Sequence, residues 1–164
     1  IKHEMGTVCI MYDGTVEFPG AIAMYWRNLG HRVEIRQYYG KEMKGDFPEG
    51  ISYSRVREPN LNEEMSLIAS KDVSRIIIRA HGTPEGSWLM PTGAYMSTNN
   101  MAAFLRNISA KRGSRVVLEI RTCDSNAQAK RVNWALRGLA EGSAAAVGIK
   151  DGGVGTDRAS DPFR

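Results

Sequence analysis

The chain has 164 residues, of which 42% are hydrophobic and 24% charged, and its formal net charge is +4. This length sits in the one-domain range, and this composition excludes a disordered chain. No run approaches the roughly 18 apolar residues a membrane span needs, and Ile1-Lys2-His3-Glu4 lacks the apolar core of a signal peptide, so one soluble domain over residues 1–164 is expected. An opening without Met points to a piece cut from a longer chain.

Apolar periodicity predicts alternating strands and helices. A strand from Thr7 to Tyr12 stops at the turn pair Asp13-Gly14. Phe18, Ile22, Tyr25, Trp26 and Leu29 then recur at helical spacing, with Pro19 suited to a first turn and Gly30 to a C-terminal cap. His31 to Tyr39 alternates as a second strand, and the mixed stretch from Gly40 to Glu58 holds one short strand, Ile51 to Val56. Asn60 and Glu63 have capping-box spacing around Leu61, Met65 and Ile68, which predicts a helix to about Ser70. The strand Arg75 to Ala80 runs into His81-Gly82, and a polar loop with Gly and Pro is expected from there to Ser97.

Met101, Phe104, Leu105 and Ile108 mark a helix from about Thr98 that closes before Gly113, and Ser114 to Thr122 is a strand that delivers Cys123. Ser125 or Asn126 is placed to cap a further helix, whose Val132, Ala135, Leu136 and Leu139 share an apolar stripe before Gly138 and Gly142. Ala144 to Ile149 is a last short strand, and Lys150 to Arg164 reads as loop or tail. Helices between strands imply right-handed parallel crossovers, so the expected fold is a three-layer α/β sandwich, a mostly parallel central sheet with helices on both faces.

Two cysteines, Cys9 and Cys123, cannot form a disulfide framework, and neither belongs to a close Cys/His pair of the zinc type. No metal is expected, and reduced thiols in a reducing compartment are the simpler reading. Cys9 lies inside a strand, as a core thiol does. Up to Gly82 the chain has 11 Lys/Arg and 11 Asp/Glu, and from Thr83 onward 11 and 7. Arg106, Lys111, Arg112, Arg115, Arg121, Lys130, Arg131 and Arg137 stand there against Glu119 and Asp124, a bias of the kind that attracts polyanions. No aromatics interleave these charges as a single-strand nucleic-acid groove requires, so no nucleic-acid partner is expected.

In parallel α/β sheets, chemistry gathers outside the carboxyl ends of the strands, where the connecting loops converge. His81 ends one apolar strand and Cys123 another; if the two strands are neighbours, imidazole and thiol share one rim. A thiol just before a helix N-terminus meets the positive end of the helix dipole and unsatisfied N–H groups, the setting of a reactive sulfur. An imidazole shuttles protons near neutral pH, and the glycine after it admits a close-lying substrate. The N–H groups of Gly82 and Cys123 are then placed to hold a developing oxyanion. A lone His and a lone Cys at strand ends also arise with no catalytic role, so spacing alone leaves that reading open.

Ile76-Ile77-Ile78-Arg79-Ala80-His81-Gly82, followed by Val116-Val117-Leu118-Glu119-Ile120-Arg121-Thr122-Cys123, resembles the paired His-Gly and Cys signature of clan CD cysteine peptidases, the group of caspases, separase, clostripain and legumain. Within that group the chain is most similar to the self-processing cysteine protease domains of large bacterial toxins. Gly82, Gly86 and Trp88-Leu89-Met90 after the histidine, and Cys123-Asp124-Ser125-Asn126-Ala127, are the supporting features. The likeness spans about Thr7 to Gly155 in element order and is specific around His81 and Cys123.

The resemblance implies a caspase-like fold and a cysteine endopeptidase that hydrolyses a peptide bond through an acyl-enzyme, with Cys123 as nucleophile and His81 as acid/base. It implies a polypeptide substrate, the parent chain included, and secretion by a bacterium with action in a host cytoplasm. Arg121-Thr122-Cys123-Asp124-Ser125 stands where caspases carry their own nucleophile sequence, so cleavage after Asp is not implied. The toxin domains respond to inositol hexakisphosphate through a C-terminal β-flap. Asp151 to Arg164 is too short and Gly-rich to supply an obvious one, which argues against that activator despite the basic cluster. The group builds its main side-chain pocket from the end of the first strand and from residues near the nucleophile, here Asp13, Arg121 and Thr122. An Asp13 carboxylate in that pocket favours a basic side chain before the scissile bond; the other reading makes Asp13 a turn residue of the Asp-Gly pair.

Other chemistries fit less well. A phosphatase loop wants Arg about six residues after its Cys, where Gln128 and Ala129 stand. Asp13-Gly14-Thr15-Val16 lacks the glycine spacing of a dinucleotide site, and no Gly-x-Ser-x-Gly elbow is present. The remaining alternative is a catalytically silent caspase-like module that holds a protein partner, with Trp88, Met90 and Tyr95 as contact surface or as core packing.

Overall fold

A computed structural model describes residues 5–90, 94–113, 115–138 and 143–149. In chain order its elements are β1 (Thr7–Tyr12), α1 (Gly20–Asn28), β2 (Arg32–Gln37), β3 (Ile51–Arg55), α2 (Leu61–Ala69), β4 (Val73–Arg79), β5 (His81–Thr83), β6 (Gly86–Met90), β7 (Ala94–Ser97), α3 (Thr98–Arg112), β8 (Val116–Arg121), α4 (Ser125–Ala135) and β9 (Ala144–Gly148). Six strands form one sheet in the order β3-β2-β1-β4-β8-β9, every neighbouring pair parallel.

Strands buried on both faces read as continuous apolar runs, and β1, β4 and β8 do so because helices cover both sides. On one face Val8, Ile10, Val33, Ile35 and Ile77 pack against Ile22 and Ala23 of α1. On the other, Cys9, Met11, Ile76, Ile78, Leu118 and Ile120 meet Ile68 of α2, Met101 and Leu105 of α3 and Val132 of α4. Each such fully buried aliphatic side chain contributes about 1.5–3 kcal/mol by leaving water. The α/β class expected from the periodicity is therefore present, with its helices on both faces.

Local signals set most boundaries. The Asn60 side chain accepts the Glu63 N–H at 3.1 Å and starts α2, and Gly113, at φ 70°, ends α3 in the left-handed conformation. The cap of α4 differs from expectation. It is Asp124, itself left-handed at φ 61° and without a side-chain cap bond. Ser125 is buried, and its Oγ instead donates to the Ile149 carbonyl and accepts the Ile149 N–H, both at 3.1 Å, which ties the start of α4 to the end of β9.

The segment expected as a loop up to Ser97 holds a small antiparallel sheet, β5-β6-β7. Strands of three to five residues carry too few positions for a period to be visible, and Gly82, Pro84 and Gly86 mask them as punctuation. Ser114, Leu139 and Gly142, and the tail from Lys150 to Arg164, lie outside the described residues.

Glu119 breaks the apolar run of β8 and is 1% exposed. Its Oε1 accepts Arg75 Nε at 2.9 Å and Nη2 at 2.7 Å, and its Oε2 accepts Arg121 Nε. Arg75 also lies over the Trp26 ring of α1, 4.4 Å from its centroid. Much of the basic bias is spent within the chain in this way. Arg112 pairs with Asp72 at 2.8 Å, Arg131 with Glu85 at 3.8 Å, and Arg137 covers the Trp134 ring at 4.0 Å. Among the described residues, no helix is long and apolar enough to cross a membrane, and no cluster of three His, Cys, Asp or Glu is arranged to hold a metal.

Candidate active site

β4 and β8 are neighbours, paired in register with Ile78 opposite Ile120 and Arg79 opposite Arg121. Parallel strands stand about 4.8 Å apart. His81 and Cys123 each follow two residues after that last pair, so both leave the same carboxyl end of the sheet. Both are exposed, and neither the imidazole nor the thiol hydrogen-bonds another described residue. Cys9 presents the contrast: it is buried between α2 and the sheet, and desolvation, reinforced by the charge of Glu34, pushes its thiol up to about 12.

The chain turns sharply at Cys123. Thr122 follows β8, Asp124 takes the left-handed conformation at φ 61° and ψ 25°, and α4 begins at Ser125. Asp tolerates this region better than most residues, and strain of this kind gathers where a side chain must be presented. No described residue accepts the Cys123 N–H.

One side chain ties the two strand ends together. Gln128, in the first turns of α4 and wholly buried, donates from Nε2 to the carbonyls of Thr83 at 2.8 Å, Gly86 at 3.1 Å and Cys123 at 3.3 Å, and to Thr122 Oγ1 at 2.9 Å. Its Oε1 accepts Ser87 Oγ at 2.8 Å. The histidine-bearing and cysteine-bearing loops thus share one amide. Gly82 completes the approach: a Cβ there would stand 2.5 Å from Gln128 Nε2 and 2.6 Å from Thr122 Oγ1, so only glycine fits. Sequence reading passed over Gln128. The available signal was its place four residues before Val132, a polar residue on the buried stripe of a helix.

The three residues expected to line a side-chain pocket, Asp13, Arg121 and Thr122, all make bonds within the chain. Asp13 is wholly buried. Its Oδ1 accepts the Thr15 N–H at 2.6 Å and Thr15 Oγ1 at 3.0 Å, and its Oδ2 accepts the His81 N–H at 3.3 Å. These bonds engage both carboxylate oxygens within the chain, the arrangement of a turn residue in its Asp-Gly pair. Arg121, 4% exposed, binds Glu119, and Thr122 Oγ1 donates to the Cys123 carbonyl at 3.0 Å. A cavity of about 340 Å³ lies further along the same sheet end, past β2 and β3, lined by Tyr38, Tyr39, Arg55, Arg57, Glu58, Pro59 and Met90. It includes neither His81 nor Cys123.

No protein-family model matches the chain, and comparisons with curated proteins and with solved structures returned no match.

Proposed function

We propose that the protein is a cysteine endopeptidase of the caspase-like type, acting on a polypeptide that includes its own longer parent chain. One observation carries the reading: the in-register pairing of β4 with β8 sends His81 and Cys123 out of one end of the sheet on neighbouring strands. The other features described above support it, namely the left-handed turn at Asp124 and the Gln128 amide shared by both loops.

His81 takes the proton of the Cys123 thiol as the sulfur bonds to the scissile carbonyl carbon, and the N–H groups of Gly82 and Cys123 receive the oxyanion. The C–N bond breaks as the imidazolium returns that proton to the leaving amine, which leaves a thioester on Cys123. Water gives a proton to His81 and adds to the thioester; the C–S bond breaks and the sulfur recovers the proton. One peptide bond and one water become a carboxylic acid and an amine. The resemblance to toxin-borne domains makes self-processing of a secreted bacterial toxin or effector, in a host cytoplasm, the setting we propose.

An electrophilic peptide probe tests this directly. Labelling of Cys123 that is lost in Cys123→Ala and in His81→Ala supports the peptidase, as does a new terminus in the longer parent chain that depends on Cys123. Absence of labelling with Arg, Leu and Asp before the electrophile, with and without inositol hexakisphosphate, overturns it and leaves the silent binding module.

A further inference from the structure

We propose that Trp88 and Tyr95 form the subsite for an apolar or aromatic side chain in the first two residues after the scissile bond, an inference that rests on the peptidase reading. β5 and β6 pair antiparallel with His81 opposite Trp88, and β6 and β7 with Trp88 opposite Tyr95. Directly opposed residues share a sheet face with Cβ atoms about 4.5–5.5 Å apart, so the three side chains form one row across the small sheet. The other face is spent on the core, where Ser87, Leu89 and Met96 have no exposure.

The face of the row is open. His81 is exposed, Trp88 is 41% exposed, and the Trp88 and Tyr95 rings lie 4.7 Å apart. Tyr95 is held in place by its hydroxyl, 3.2 Å from Thr83 Oγ1, and by the bare Cα of Gly86, where a Cβ would stand 2.8 Å from the ring. Trp134, the other exposed indole, is covered by Arg137. Among the described residues no cation covers Trp88, so an apolar surface remains free beside the imidazole.

The chemistry sets which part of a substrate lies there. The imidazolium proton goes to the leaving nitrogen, so the departing half of the peptide runs past His81, and the exposed surface adjoining His81 across the strand pair is Trp88. One strand step is about 4.8 Å and one extended residue about 3.3 Å, so two departing residues cover the distance.

The experiment compares, within each protein, hydrolysis of peptides carrying Phe, Leu, Asp or Gly at the two positions after the cut. Wild type is expected to favour Phe over Gly by about tenfold in kcat/KM, and Trp88→Ala to bring that ratio below about twofold. Because the ratio is internal to each protein, a general loss of activity does not mimic the result. Trp88→Lys, its fold checked by circular dichroism, is expected to move the preference to Asp; it carries the test if Trp88→Ala fails to fold. An unchanged Phe/Gly ratio in a folded variant overturns the subsite and leaves the peptidase standing. Failure of wild type to cleave any peptide, with Cys123 unlabelled by electrophiles, overturns both.

Discussion

The backbone N–H of His81 donates to Oδ2 of Asp13 at 3.3 Å, so a carboxylate that is wholly buried past the end of β1 holds the residue that emerges from β4. Asp13→Asn keeps an acceptor for the Thr15 turn but sets an amide nitrogen against the His81 N–H. We expect a loss of about 1–3 kcal/mol from the unsatisfied donor, read by denaturant unfolding. Displacement of the imidazole is expected to lower Cys123-dependent hydrolysis about 10- to 100-fold, mostly in kcat. Wild-type kcat in a correctly folded Asp13→Asn variant would end this account.

Gln128 and Gly82 make a second prediction. Gln128→Glu preserves shape but replaces the donor shared by Thr83, Gly86 and Cys123 with an oxygen that faces their carbonyls. We expect the electrophile to label Cys123 at least about tenfold more slowly, with melting lowered by the cost of unsatisfied buried groups. Gly82→Ala is expected to act in the same direction, because its methyl group meets Gln128 and Thr122 inside contact distance. Labelling at the wild-type rate in either variant would show that the two loops are positioned by other contacts.

The two thiols should behave as different chemical species. In the native protein Ellman's reagent is expected to titrate one thiol, lost in Cys123→Ala, and to find the second only after denaturation. The raised thiol of Cys9, facing Glu34, Arg36, Lys71 and Glu64, links to stability with a definite sign. Below pH 9 it is protonated in both states. Between pH 9 and about 12 the unfolded chain gives up this proton and the folded one keeps it, so stability falls by about 1.4 kcal/mol per pH unit. Tyr12 and Tyr38, both raised chiefly by burial, add slopes of the same sign. Cys9→Ala should therefore flatten the alkaline loss without abolishing it, and an unchanged slope in urea midpoints against pH would refute the assignment.

Glu119 neutralises two guanidiniums in a place where water is excluded. Glu119→Gln leaves Arg75 and Arg121 without that carboxylate, and we expect destabilisation of about 3–5 kcal/mol in chemical denaturation. Replacing Arg75, Glu119 and Arg121 together by apolar residues of similar volume should recover most of the loss, since the desolvation cost then leaves with all three charges. If the triple replacement is as unstable as the single one, the ion triad has a role beyond mutual neutralisation.

The regular elements were legible because burial leaves a local trace. Thr7–Tyr12 is the same strand in sequence and structure, and the Asn60 cap and the Gly113 stop follow from chemistry within four residues of each helix end. β5, β6 and β7 were not legible, since their partners are each other rather than a periodic face. Asp13 admitted two roles in the sequence. The choice between a pocket carboxylate and a turn residue depended on how close the end of β4 came, which no local pattern contains.

Taken alone, the order of amino acids determined an alternating α/β chain and identified which strands end in His81 and Cys123, because apolar periodicity depends only on neighbouring residues. That β4 lies beside β8, that Gln128 bridges their loops and that Trp88 stands opposite His81 were decided by tertiary structure alone. Strand order and cross-strand register arise from how distant segments pack, and 36 residues lie between Arg79 at the end of β4 and Val116 at the start of β8, too far apart for any local pattern to relate them.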